Sequence, residues 1–532
     1  MDGRGSGFDA DATGGGAQAG GGAQAGGGAQ AGGDDVVGPA GVDPARLEAC
    51  LAVIAELDDL PVDHPDAVAV RLATARLFKT VKERRRAERR AAIQAADRAV
   101  LAATATAAPG RIDDETLGIP LVSAAAGATA GTLIKARPCY VCKTSYTEVD
   151  AFYHQLCPTC AAHHHERRHV SVDLRGRRAL LTGGRAKIGM YIALRLLRDG
   201  AHTTITTRFP QDAARRFASM DDSADWLHRL RIVGIDLRDP AQVIALADTV
   251  ADAGPLDILI NNAAQTVRRT ADAYSLLSAA ESEPHPAGLP RPDVVVLGAT
   301  RTEHPASLPA TLTAADRSGP SAAALATHDG PAAVDVTALA LTARSAALGA
   351  GLDASTLGVA IDAGGLVPDE VHINSWTQRV EEVDPVELLE VQLCNMTAPF
   401  ILVSRLRPAM AASTARRTYV VNVSAMEGQF GRGYKGPGHP HTNMAKAALN
   451  MLTRTSAHEM LQTDGILMTS VDTGWITDER PHTTKVRLAD EGFHAPLDLV
   501  DGAARVYDPI VRGEAGEDLF GVFLKDFKTC AW

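Results

Sequence analysis

The sequence predicts an α/β protein with a doubly wound parallel sheet, and three observations carry that prediction. The stretch 177–189 reads RRALLTGGRAKIG, in which a short apolar run meets a glycine turn and then helical apolar spacing. A β-branched run at 201–208 and a further apolar run at 230–237 follow it. The fourth run, LDILINNAA at 256–264, comes after a predicted helix at 240–253. Apolar runs that alternate with helical segments are typical of βαβ units in a parallel sheet.

The glycine turn is the part of this pattern that points to a ligand. A strand, a glycine turn and a helix in that order open a dinucleotide-binding unit of the Rossmann type. Glycines let the backbone approach a pyrophosphate closely, and the amides at the helix start point at its charge. The predicted contacts in this turn are Thr182, Gly183, Gly184, Arg185, Lys187, Ile188 and Gly189.

The end of the second strand indicates which dinucleotide binds. An NAD-binding fold carries an Asp or Glu there for the ribose hydroxyls, whereas this chain has Arg208, with Arg185 and Lys187 in the turn. Three cations near one spot favour a 2′-phosphate. We therefore predict NADP rather than NAD, the alternative being that Arg208 only caps a strand.

Length, composition and charge set wider bounds. The chain has 532 residues, 45% of them hydrophobic, and a net charge of −11, which does not favour nucleic acid. No apolar run is long enough to span a bilayer, and the N-terminus lacks the order of a signal peptide, so we expect a cytoplasmic protein. Residues 1–42 are rich in Gly, Ala and Gln and are predicted to be disordered.

The segment between this tail and the sheet is predicted to be helical at 43–104 and a linker at 105–136. The basic stretch 82–90 is interpreted as a solvated helix face, although it could instead bind an acidic partner. The helical pair could also support oligomerisation.

Four cysteines in 137–168 predict a small metal-binding module. Cys139 and Cys142 form one C-x-x-C pair, and Cys157 and Cys160 form a second. Two such pairs at this separation are a strong zinc signal, and four thiolates leave no open position, so the zinc is expected to be structural. His163, His164, His165 and His169 follow and could replace a cysteine ligand. The module resembles zinc ribbons and treble clefs, which often mediate contacts with other macromolecules.

A series of motifs beyond the turn carries a family resemblance. In chain order they are TGGRAKIG, the pair Asp236-Leu237, LDILINNAA, Asn395 in a helix, Ser424 after a strand and Lys446 in a helix. In this order and placement the chain resembles the short-chain dehydrogenase/reductase family from about Val172 to the C-terminus, residue 532.

The resemblance implies roles for particular residues. Ser424 would bond the substrate oxygen, Lys446 would hold the nicotinamide ribose, and Asn395 would hold a water of a proton relay. On the cofactor side, Asp236 would bond the adenine amine, Leu237 would flank the ring, Asn262 and Ala263 would line the adenine ribose and diphosphate, and Thr473 and Gly474 would contact the nicotinamide amide.

The chain departs from the family at four places. Lys187 stands where the family has its second glycine, and Asp472-Thr473-Gly474-Trp475 stands where it has Pro-Gly. An insert at about 270–371 interrupts the domain. The catalytic Tyr-x-x-x-Lys pattern is also broken, because Thr442 precedes Lys446 by four residues.

The missing tyrosine leaves the proton donor open. A threonine hydroxyl is too weak an acid to replace a phenol. The preceding loop offers Tyr434, His439 and His441. Either Tyr434 takes the vacant position, or a histidine supplies the proton, or these residues only form a substrate lid.

These observations predict an NADP-dependent oxidoreductase of the short-chain type that acts on a small carbonyl or alcohol substrate. The alternative is a catalytically weak or inactive NADP(H)-binding scaffold or redox-responsive partner protein. We expect a homo-oligomer, with a possible protein partner at the zinc module. Membrane association is not expected, and nucleic-acid binding is the weakest reading.

Overall fold

The computed structural model describes residues 41–113, 121–269, 272–297, 362–368, 371–431, 433 and 435–532. The predicted disordered tail and most of the predicted insert lie outside these residues, and so does Tyr434. The chain divides into two compact units, Met1–Glu88 and Arg89–Trp532.

The first unit consists, in its described part, of helix α1 and the beginning of helix α2. Helix α1 spans Pro44–Glu56 and α2 spans Pro65–Ala102, which continues into the second unit. Asp43 caps α1, because its side chain accepts a hydrogen bond from the Arg46 amide at 3.0 Å. The segment predicted to be helical therefore holds two helices.

The second unit contains a nine-stranded sheet and a separate hairpin. Its strands are β1 (Thr129–Pro138), β2 (Ser145–Asp150), β3 (Arg178–Leu181), β4 (His202–Thr207), β5 (Leu230–Gly234), β6 (Ile258–Asn261), β7 (Asp293–Val296), β8 (Thr418–Ser424), β9 (Ile466–Asp472), β10 (Phe523–Lys525) and β11 (Lys528–Cys530). The helices of the described part are α3 (Pro158–Arg168), α4 (Lys187–Arg198), α5 (Pro210–Ala218), α6 (Ser223–Trp226), α7 (Pro240–Asp252), α8 (Ser275–Ser282), α9 (Pro385–Gln392), α10 (Ala398–Ala411), α11 (Pro440–Asp464), α12 (His482–Asp490) and α13 (Leu499–Glu514).

The large sheet has the strand order β11-β10-β9-β8-β6-β3-β4-β5-β7. Each neighbouring pair is parallel except β10 with β11. One face is covered by α4, α5 and α13 and the other by α7, α10 and α11. The predicted doubly wound parallel sheet is therefore confirmed.

The order of the strands also fixes where a ligand can enter. From β3 the chain builds outwards through β4 and β5, and it then returns to the other side of β3 with β6, β8 and β9. Strands β4 and β5 thus lie on one side of β3 and strands β6, β8 and β9 on the other, while β7 is added at the outer edge beside β5. The order of the strands switches between β3 and β6, and ligands bind at the carboxyl ends of the strands at such a switch point.

Strand β1 lies partly inside the segment that the sequence predicts as a linker. Residues 129–136 belong to β1, whose Thr129, Gly131 and Thr132 pair with β2. The amides of Ile134 and Lys135 donate to the Asp97 carboxylate at 2.6 and 3.2 Å. Leu133 is the one buried residue of β1. The sequence of this strand therefore shows little alternation of apolar and polar residues. The linker prediction is wrong for these residues.

The stretch Pro385–Ala411 is long and apolar enough to cross a membrane by length and composition. In the fold it comprises α9, a π-helical turn at Leu393–Thr397 and α10. Leu402 and Leu406 of α10 are buried in the core beneath the sheet. A core helix of this kind passes the same test as a membrane span.

Candidate active site

The glycine turn and the end of β6 are joined by hydrogen bonds across the crevice. The Asn262 side chain donates to the carbonyls of Thr182 and Gly183 at 3.0 and 3.1 Å. The Thr182 hydroxyl accepts from the amides of Asn262 and Ala263, both at 3.0 Å. A Cβ on Gly189 would lie 1.9 Å from the Gly183 carbonyl oxygen. Only glycine therefore allows the helix start to approach the turn this closely.

Lys187, at the position of the family's second glycine, has a left-handed backbone conformation. Its φ is +54°, in the left-handed region that residues with a Cβ rarely adopt. Its ammonium nitrogen lies 3.6 Å from Asp362 Oδ2 and 3.8 Å from Glu479 Oε1. The side chain thus extends from the turn to two carboxylates of other segments, while neighbouring Ile188 packs into an apolar cluster.

Two of the three predicted cations lie together beside the end of β4. The guanidinium groups of Arg185 and Arg208 lie 5.3 and 5.8 Å from the centroid of the same Phe209 ring. Arg185 also forms an ion pair of 2.6 Å with Asp212. Gly184 completes this side of the turn, where its amide donates to the Thr206 carbonyl at 3.2 Å.

Asp236, predicted to bond an adenine amine, already has a strong partner. It is 2% exposed, and its Oδ2 accepts from Arg238 Nη2 at 2.7 Å. Arg238 also pairs with Glu390 at 2.8 Å. Burial alone would raise the pKa of Asp236, but Arg238 lowers it to about 2. Leu237 is buried in the core beside this pair.

Ser424 ends β8 at the same carboxyl edge. It is 3% exposed, and within the described residues its hydroxyl has no hydrogen-bond partner. Lys446 of α11 reaches this strand end, where its ammonium donates to the Val423 carbonyl at 2.7 Å. Burial lowers the pKa of Lys446 to about 8. A buried polar group without a partner calls for an explanation, and a catalytic role is one such explanation.

Asp472 lies directly across from Ser424, in register on β9. Both face α11, because Asn422 and Ser470, two residues earlier on each strand, bond the Thr453 hydroxyl of that helix at 2.9 and 2.8 Å. Asp472 is 5% exposed, and burial raises its pKa to about 6. In the sequence Asp472 stands out only as part of the departure from Pro-Gly. The sequence signal that could have identified Asp472 as a candidate site residue is an acidic residue at the end of a mainly apolar strand.

Asn395 lies in the π-helical turn between α9 and α10 and is 1% exposed. Its side chain exchanges two hydrogen bonds with the Gln265 backbone, at 2.7 and 3.0 Å. π-Helical turns occur frequently at functional sites. Asn395 thus anchors the loop after β6, and its role in holding a water stays a prediction.

The segment HINSW at 372–376 lies near the loop after β9. The Asn374 side chain donates to the Glu479 carbonyl at 2.8 Å, and the Ser375 hydroxyl accepts from the Arg268 amide at 2.8 Å. Thr473 and Gly474 follow β9 at this edge.

The geometry can be compared with known proteins. The family model described as short chain dehydrogenase matches residues 177–280 and 309–486, which is more than half of the chain. The chain belongs to the short chain dehydrogenase family. Members of this family are oxidoreductases.

Individual relatives vary in how much of the chain they cover. An uncharacterised protein of Acanthamoeba polyphaga mimivirus is 29% identical over 387 residues, which are 70% of this chain and 71% of that protein. A probable oxidoreductase of Streptomyces lividans is 40% identical over 92 residues, 17% of this chain and 30% of its own length. A short chain dehydrogenase from Burkholderia cenocepacia, solved in complex with NADP, is 18% identical with a TM-score of 0.39, covering 66% of this chain and 96% of that one.

In this chain Thr442 stands at the position of the family's tyrosine. The Thr442 hydroxyl donates to the His439 carbonyl at 2.9 Å in the first turn of α11. His439 stacks on Trp376 at 3.9 Å between ring centroids. His441 is buried with its Nε2 3.5 Å from Glu387 Oε1. Tyr434 lies outside the described residues.

The four predicted zinc ligands converge. Cys139 and Cys142 lie in the turn between β1 and β2, while Cys157 and Cys160 lie at the start of α3. Their sulfur atoms all lie within 4.8 Å of one another, and the chain's seven cysteines are all free thiols. The nearby histidines have other partners: His164 bonds the Cys160 carbonyl at 2.8 Å, and His165 bonds Asp150 at 3.2 Å.

Proposed function

We propose that this protein is an NADP-dependent oxidoreductase that moves a hydride between the nicotinamide and a small carbonyl or alcohol substrate. One observation carries the proposal: the unpartnered, buried hydroxyl of Ser424 lies at the carboxyl edge of the sheet, next to Lys446 and two strands from the strand that leads into the glycine turn. A hydroxyl in this position can bond a substrate oxygen whose charge changes during the reaction.

The described residues fit a nicotinamide dinucleotide. The close approach of Gly189 to Gly183 and the Asn262 contacts build a crevice lined by backbone, as a pyrophosphate requires. Arg185 and Arg208 supply two adjacent cations for a 2′-phosphate. When bound, the cofactor gives or takes the hydride.

The protein's own residues would then handle orientation and the proton. Ser424 holds the substrate oxygen, and Lys446 holds the nicotinamide ribose. Asn395 orders a water next to them. For the proton itself we propose Tyr434, with His439 and His441 as the alternatives.

We also propose that the cysteine cluster binds a structural zinc ion. Four thiolates that each bond zinc at about 2.3 Å place neighbouring sulfur atoms about 3.8 Å apart. Cys142 Sγ and Cys157 Sγ are 3.7 Å apart, which supports this donor set. The ion would hold the hairpin turn to α3 and would take no part in the reaction, since four thiolates fill its coordination.

A second candidate function is an NADP(H)-binding scaffold with little catalysis. The hydrogen bond from Thr442 to the His439 carbonyl favours it, since this hydroxyl is already committed within the helix. Turnover separates the two functions.

The deciding experiment is a titration of the purified full chain with NADPH and, separately, with NADH, followed by nicotinamide fluorescence. A panel of aldehydes and ketones then tests turnover. We expect tight NADPH binding, weaker NADH binding and turnover of at least one carbonyl. Binding without turnover would favour the scaffold, and failure to bind either cofactor would refute both functions.

A further inference from the structure

The cysteine module packs against the edge of the large sheet that carries the proposed cofactor site. Tyr153 and Leu156 of the module form one apolar cluster with Ile476 and Leu497, which follow β9. Ile188, at the start of α4, joins the same cluster. The module therefore contacts both the glycine turn's helix and the loop after β9.

Polar contacts fix this packing at the first turn of α13. The Tyr153 hydroxyl donates to Asp501 at 2.6 Å, and Arg168 bonds both oxygens of Asp498 at 2.6 and 2.9 Å. Farther along the helix, Arg505 Nη2 lies 2.7 Å from His164 Nε2. Charge-assisted pairs shielded from water hold their geometry better than surface pairs, so the module is fixed in one position on the sheet domain.

One contact reaches the loop after β9 directly. Tyr140 lies between Cys139 and Cys142, and its hydroxyl oxygen accepts a hydrogen bond from the Trp475 amide at 2.9 Å. On its other side the loop is confined at Gly474, where φ is +76° and a Cβ would lie 2.7 Å from Leu497 Cδ1. The loop is thus held between the cysteine turn and the segment before α13.

This loop borders the reacting end of the proposed site. It starts at Asp472, the register partner of Ser424, at the carboxyl edge where ligands bind in sheets of this topology. A displacement of this backbone would move one wall of the site relative to Ser424. A change of about 1 Å in such a wall is enough to alter a rate strongly.

We propose that Tyr140 is a positioning residue that holds the loop 472–477 in place for the cofactor, so that the cysteine module is a working part of the active site. This inference rests on the proposed nicotinamide-dependent function. In this proposal the module supports the active site of its own chain and is not a separate docking domain. A metal ion in the cluster would hold Tyr140 in place by fixing the turn that carries it.

The test is Tyr140→Phe in the full chain, with Tyr146→Phe as the matched control. Both variants lose one phenol hydrogen bond of the module, but the Tyr146 hydroxyl donates to the His154 carbonyl at 2.8 Å, inside the module. The first readout is hydrogen–deuterium exchange of the peptide that contains 472–477. The second is NADPH affinity by fluorescence, with kcat and KM for the best substrate.

We expect Tyr140→Phe to speed hydrogen exchange in the loop and to weaken NADPH binding, each by about fivefold. This factor corresponds to the free energy of one lost hydrogen bond. Tyr146→Phe should change neither the loop exchange nor the NADPH affinity. Both variants should lower the thermal stability to a similar degree, since each loses one hydrogen bond. Equal loop exchange in the two variants would overturn the inference. If the wild type binds no nicotinamide, the proposed function fails, and the role of Tyr140 at a cofactor site fails with it. Loop exchange would then show only whether Tyr140 holds the loop.

Discussion

The carboxyl edge of the sheet has two halves that differ in whether their buried charged side chains are paired. Beyond the ends of β4 and β5, buried charges are paired: Arg185 bonds Asp212 at 2.6 Å, and Asp236 bonds Arg238 at 2.7 Å. Beyond the ends of β8 and β9, burial dominates. It lowers the pKa of Lys446 to about 8 and raises the pKa of Asp472 to about 6.

The difference separates binding from chemistry. Pairing in the first half keeps the charges of these side chains fixed over the physiological pH range, which suits recognition of a phosphate. In the second half the charged forms are disfavoured, so protonation can change near neutral pH. Under the proposed function, cofactor recognition would belong to the half at β4 and β5 and proton handling to the half at β8 and β9.

The largest expected effect comes from removing the unpartnered hydroxyl. Ser424→Ala should lower kcat by about 100-fold or more, as for the loss of one donor to a developing oxyanion, while NADPH affinity stays within about twofold. Ser470→Ala is the control, because that hydroxyl also faces α11 but is bonded to Thr453. It should lower stability and leave kcat nearly unchanged. Equal losses of kcat in the two variants would contradict the assignment.

The next test uses the opposite pKa shifts of two buried aspartates. The pKa of Asp472 in the folded protein is about 6, above the value of about 3.9 in an unfolded chain. The folded state therefore binds this proton more tightly, and stability falls as the pH rises from about 4 to about 6. Asp472→Asn removes this cost and should raise the free energy of unfolding above pH 6 by on the order of 2 kcal/mol.

Asp236→Asn is the opposing control. Its folded pKa of about 2 lies below the unfolded value, so the carboxylate stabilises the protein above about pH 4, and this contribution is lost as the pH falls towards 2. The asparagine variant should thus be less stable than the wild type at pH 7. Urea denaturation at pH 4, 5, 6 and 8 measures both variants. Shifts of the same sign at pH 8 would remove the contrast between the two halves.

The sequence predicts the sheet well because alternating apolar runs and helices are local signals. The same holds for the glycine turn, Ser424 and the broken tyrosine pattern at Thr442, which can be identified from short motifs. The contact of Tyr140 with Trp475 joins positions 335 residues apart, and no local pattern encodes it. The pairing of Asp236 with Arg238 and the raised pKa of Asp472 depend on burial, which the composition of a strand end does not reveal.

The smallest expected effect tests cofactor choice in the paired half. Arg208 donates to the Tyr274 hydroxyl at 3.2 Å and lies 5.1 Å from the centroid of that ring, so its guanidinium is already oriented. Arg208→Met should weaken NADPH binding by about tenfold, the loss of a charge-assisted contact, and leave NADH binding almost unchanged. Arg198→Met, which removes an exposed pair with Asp222, should change neither affinity. A parallel loss of NADPH and NADH binding in Arg208→Met would instead make Arg208 a structural cap of β4, and the preference for NADP would then rest on Arg185 and Lys187.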